Sequence, residues 1–118
     1  MLGSLKKKAQ QKAMEKFEAT IKPQIQDKLD VFTSLKPADV VGDEKYQSIV
    51  IKPIWVSISA ASSGAITAAS KFIDVEGKFN KAFFHVRDEL ITVEDETVKL
   101  DPDFKEKALP TFITAIKQ

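Results

Sequence analysis

The chain has 118 residues, 43% hydrophobic with eight phenylalanines, which is enough for one core and too apolar for global disorder. A net charge of +1 gives no bulk attraction to nucleic acid. The absence of cysteine excludes disulfides, thiolate nucleophiles and cysteine-ligated metals, in keeping with a cytoplasmic protein.

The first residues carry a basic cluster with no apolar run behind it, unlike a secretory leader, and Gly3 stands one place too late for N-myristoylation. An amphipathic helix is expected over 4–21, with Ser4 as its cap and Leu5, Ala9, Ala13, Phe17 and Ile21 recurring every fourth residue. Pro23 should kink or restart it, since proline has no amide to continue the ladder. Ile25, Leu29 and Phe32 form a second short stripe; Lys36-Pro37 is a break, 38–41 suits one helical turn, and Gly42 suits a left-handed exit.

From Asp43 a helix is expected on Tyr46, Ile49, Val50 and Ile54, kinked at Pro53. The β-branched and aromatic residues of 47–58 also allow two buried strands. Residues 53–70 then run without a charge in a chain that is 30% charged, which marks them as a central helix enclosed by protein on all sides. The window 49–73 approaches transmembrane length, but Lys52-Pro53 and its Ser, Thr and Gly content favour a buried helix of a soluble protein. Ser57, Ala61 and Ala65 share one line of that helix, and Ala60, Gly64 and Ala68 share the next. Small residues at that spacing allow close backbone approach, either by another part of the chain or by a second subunit.

Asp74 reads as the cap of a helix carrying Val75, Phe79, Ala82, Phe83, Val86 and Leu90. Residues 90–100 could continue this helix or form a hairpin with 91–93 paired to 97–99; they read as extended, although the turn between lacks the Asn-Gly signature. Asp101-Pro102 signals a last helix with Phe104, Ala108, Phe112, Ala115 and Ile116 inward and a kink at Pro110. The expected fold is therefore a single, mainly α domain over 1–118, a compact bundle of four to five helices around the uncharged segment. The alternative is α+β, with a small antiparallel sheet from 47–58 and 90–100.

Catalytic patterns are sparse. Four scattered glycines exclude Walker loops and dinucleotide fingerprints, and one histidine excludes two-histidine metal motifs. His85 stands three and four residues before Asp88 and Glu89, the only arrangement with general-base or metal-binding geometry, and it also suits a surface histidine beside two carboxylates. The acidic residues Glu94, Asp95, Glu96, Asp101 and Asp103 do not follow the alternation of a calcium loop. No metal or cofactor is expected.

At the amino terminus, five lysines against Glu15 leave residues 1–16 at +4 and the remainder at −3. Leu2, Leu5 and Phe17 with Lys6, Lys7, Lys8 and Lys12 match a basic amphipathic helix at an anionic membrane surface. Nucleic acid is disfavoured, because seventeen of the eighteen cations are lysine and Arg87 is the lone guanidinium. The sequence thus favours a non-catalytic helical module that binds a protein partner or itself as a homodimer. A peripheral membrane or lipid-binding protein is the alternative, and an enzyme using His85 a more distant one.

Overall fold

The computed structural model of the chain describes residues 2–117, with side chains from Leu5 to Lys117, so the Ser4 cap and the Leu2 membrane contact expected above lie outside the described side chains. The fold is mainly α, with one small antiparallel sheet. Helix α1 (Leu2–Lys28) passes through Pro23 without a break. Proline forfeits one ladder bond, but Ile21 and Ile25 on either side of it are both buried and hold the turn, while the ring faces solvent. A 3₁₀ segment (Leu29–Ser34) follows, whose three-residue turn points Leu29 and Phe32 the same way, into the core.

Helix α2 (Pro37–Val41) starts on its proline, and the Lys36 amide donates to Asp39 Oδ2 at 3.0 Å. Gly42 is not left-handed as expected: at φ −87°, ψ 126° it is an extended link preceding α3 (Asp43–Tyr46). From there α3, a π turn (Gln47–Ile51) and α4 (Lys52–Ala61) run on as one helical rod, which overturns the strand alternative for 47–58. Tyr46, Val50, Ile54 and Ile58 recur every fourth residue and are all buried. Each such step overshoots an α turn by about 40°, and the wider π turn reduces that drift so that one face stays inward.

The uncharged segment is the main correction. It is neither one rod nor enclosed: it breaks at Ser62 (φ −133°, ψ 32°), and α5 (Ser63–Ser70) leaves at 102° to the helix before it. Only Ile54, Ile58, Ser62 and Ala69 are buried there, whereas Val56, Ala60, Ala61, Ser63, Gly64, Thr67 and Ala68 are exposed. Lack of charge removes a penalty for burial, but small side chains offer little apolar area to drive it.

The core centres instead on α6 (Val75–Leu90) and its neighbours. Asp74 caps α6 by accepting the Gly77 amide at 3.1 Å. Its Phe79 and Phe83 rings pack tilted against each other at 4.9 Å, and Phe112 meets them edge-on at 5.5 Å and tilted at 4.7 Å. Trp55 joins at 4.9 Å from Phe79, and Phe32 touches both Phe83 and Phe104. Strands β1 (Ile91–Glu94) and β2 (Thr97–Leu100) then pair antiparallel, Ile91 opposite Leu100 and Val93 opposite Val98. Their two-residue turn holds Asp95 and Glu96 at φ 51° and 60°, the twist a tight hairpin requires even without its usual Asn-Gly.

Helix α7 (Phe104–Ile116) begins two residues after Asp101-Pro102, because the Asp101 carboxylate first closes a turn on the Asp103 amide. It continues through Pro110, exposed on the outer side, with Ala108, Phe112, Ile113 and Ile116 buried. The molecule measures 56 × 25 × 23 Å. The first fully buried residue of α1 is Phe17, and Ala13 and Met14 pack partly buried against the core, so the helix projects as an arm mainly by its first turns, with Leu5, Lys6, Lys7 and Lys8 open to solvent.

Candidate interaction surfaces

Two surfaces and one cleft account for the residues that the sequence singles out. The first surface is the α4–α5 elbow. At its corner the Ser62 amide donates to the Ile58 carbonyl, its carbonyl accepts from Ile66, and its hydroxyl accepts from Gln24 Nε2 on α1. The bend is thus held by backbone and side chain together. Beyond it, α5 returns alongside α1, with Ala69 buried and Ala65 and Ile66 half-buried.

That contact divides the small residues. Ala65 and Ala69 serve the intramolecular crossing, Ser57 is half-buried, and Ala60, Ala61, Gly64 and Ala68 remain exposed. At Gly64 an added Cβ would meet nothing within 4 Å. Val56, 58% exposed, continues this uncharged surface along α4. Beside it a cleft of about 360 Å³ opens between the π turn and the start of α6, with Trp55 and Asn80 among its walls.

The second surface is the α1 arm. Lys6, Lys7, Lys8 and Lys12 are exposed, and among the described residues none of them, nor Lys16, takes part in an ion pair; Lys22 and Lys117, by contrast, both bind Glu18. Leu5 is 64% exposed. Phe17 is a correction: it is wholly buried, and a membrane cannot reach it. The four-residue stripe winds around the helix, so Leu5 and Phe17 lie on different sides. Gln10 Nε2 donates to the Phe72 carbonyl at 3.1 Å and ties the arm to the link after α5. The Phe72 side chain is 39% exposed. Sequence reading missed Phe72 and Val56; the signal for Phe72 was its place in a short link, outside every apolar stripe.

The cleft of about 440 Å³ around His85 lies between α6 and α7. His85 is half-buried and lines it with Glu89, Asp101, Lys107 and Thr111. Asp88 does not join them: it accepts from Arg87 Nε at 3.0 Å. Asp101 is also engaged, since the Asp103 amide and Lys107 at 3.2 Å hold its carboxyl below the ordinary 3.8. Among the described residues no group of three or more His, Asp or Glu side chains is placed to hold a metal ion.

Likewise, no single described helix is long and apolar enough to cross a membrane; Asp43–Ala61 and Ser63–Ser70 reach that composition only jointly, across the bend. Comparison with protein-family models, with characterised proteins and with solved structures finds no match for the chain.

Proposed function

We propose that this is a non-catalytic, cytoplasmic interaction module that receives a helix of a partner protein, a second copy of itself in the first instance, on the outer face of the α4–α5 elbow. The observation that carries the reading is the exposure of Val56, Ala60, Ala61, Gly64 and Ala68 on eighteen successive residues without a charge, in a chain 30% charged. A surface of this kind loses little hydration when covered, and its small side chains let a second helix come close. The corner fixed by Gln24 and Ser62 presents it as a rigid shape, so a partner meets little ordering cost.

Sedimentation velocity across a concentration series tests the homodimer. The expected result is self-association in the micromolar range that Ala60→Glu and Ala68→Glu weaken while helicity is kept. A monomer at tens of micromolar removes self-association. Photo-crosslinkers placed at 60 and 68 test the reading as a whole: discrete protein adducts from these sites and not from exposed controls such as Lys105 are expected, and their absence overturns it.

A further inference from the structure

The elbow leaves the α1 arm unexplained, and the arm points to a different kind of partner. We infer that residues 5–16 of α1 dock on the anionic phospholipid headgroups of a bilayer surface, independently of what the elbow binds. Lys8, Lys12 and Lys16 are exposed at four-residue spacing and form one ridge, with Leu5 exposed beside it and Lys6 and Lys7 near the tip. From Leu5 to Lys16 the helix rises about 17 Å, so the cations act on one patch of membrane within roughly two Debye lengths. Glu15 is the one carboxylate on this stretch, and its polar contact is Gln11 at 3.5 Å. Glu18, the next, is already held by Lys22 at 3.3 Å and Lys117 at 3.5 Å. Among the described residues no carboxylate therefore pairs with the ridge.

Two further features favour a lipid surface over another polyanion. Leu5 offers an apolar side chain at 64% exposure, which headgroup contact can cover. The cations are all lysines, compact charges suited to diffuse attraction and lacking the fork that reads bases or clasps phosphate in two places. Because Phe17 is buried, attachment is shallow and electrostatic and should fade with salt.

Co-sedimentation with vesicles tests this, using the full chain and phosphatidylcholine with or without phosphatidylserine. Binding to the anionic vesicles alone, weakened by salt, is expected. Lys8→Gln, Lys12→Gln and Lys16→Gln together should lower the partition coefficient about a hundredfold, from the typical attraction of one basic residue to such a surface. All three are exposed, so circular dichroism should show the variant folded. No binding at low salt, equal binding to neutral vesicles, or indifference to the triple substitution would each overturn the inference. Tighter binding to duplex DNA than to the anionic vesicles would overturn it as well.

Discussion

Tyr46 packs its ring into the core yet keeps its hydroxyl satisfied, donating to the Phe83 carbonyl at 2.7 Å. Burial, aided by Asp88 and opposed by Arg87, pushes the phenol well above its ordinary 10.0, so it remains a donor at every pH at which the protein is handled. Arg87 lies over this ring at 5.2 Å and over Phe84 at 5.0 Å, and it donates to Asp43 at 2.7 Å and to the Val40 carbonyl at 3.3 Å. One side chain thereby fastens α2 and α3 to α6. Tyr46→Phe should cost about 1 kcal/mol in urea denaturation, the usual net value of one hydrogen bond, with no change in that cost between neutral and mildly alkaline pH. A cost that already fell within that window, below the ordinary 10.0, would show the assignment wrong; above 10.0 the cost should shrink, because the unfolded-state phenol ionises first. Spacing revealed Tyr46 as an inward residue, but its partner 37 positions away was not legible. Likewise Asp88 read as a companion of His85, whereas the adjacent Arg87 holds it; both groups compete for one carboxylate, and only the direction of the side chains decides.

At the scale of elements, what was legible in the sequence was what depends on neighbours a few residues apart. The Asp74 cap, the α6 stripe and the pairing of 91–93 with 97–99 all emerge from local chemistry. Helices α1 and α7 run on through Pro23 and Pro110 without ending, because burial on both sides outweighs a lost ladder bond. The cap supports a coupled test. A Cβ on Gly77 would collide with the Asp74 carboxylate, so the glycine is what lets the cap close. Asp74→Ala should cost about 1 kcal/mol. Gly77→Ala should gain roughly 1 kcal/mol from helix propensity only when Asp74 is already absent, since in the parent chain displacement of the cap offsets it. Additive effects in the double-mutant cycle would count against the geometry. The start of α7 supports a second test, against pH. The folded-state carboxyl of Asp101 titrates below its ordinary 3.8, held by the Asp103 amide and then by Lys107. Its contribution is therefore complete above 3.8 and is lost as pH falls through the lower folded-state value. Asp101→Asn should flatten the acid limb of stability in that window and leave the slope near neutrality unchanged, as read from urea midpoints.

At the scale of the molecule, the sequence misled in one instructive way. A run without charge was read as a run without solvent, yet the two differ when the side chains are small. Ile54 and Ile58 bring α4 inward, and Ala69 seats α5, but Ala60, Ala61, Gly64 and Ala68 have too little area to draw the other face under cover. The elbow at Ser62 follows from the same deficit, since a straight continuation has no long apolar stripe to pay out against the core and α5 gains more by folding back along α1. A pair of adjacent substitutions separates the two pictures. Ala69 is 1% exposed, so Ala69→Glu forces a carboxylate into a full space and should cost about 4 kcal/mol or more. Ala68 is exposed, and Ala68→Glu should change the stability of the monomer by no more than about 0.5 kcal/mol. Thermal melts by circular dichroism at low protein concentration read both. Were the segment enclosed on every side, the two variants would unfold alike, and the outer face offered to a partner would not exist.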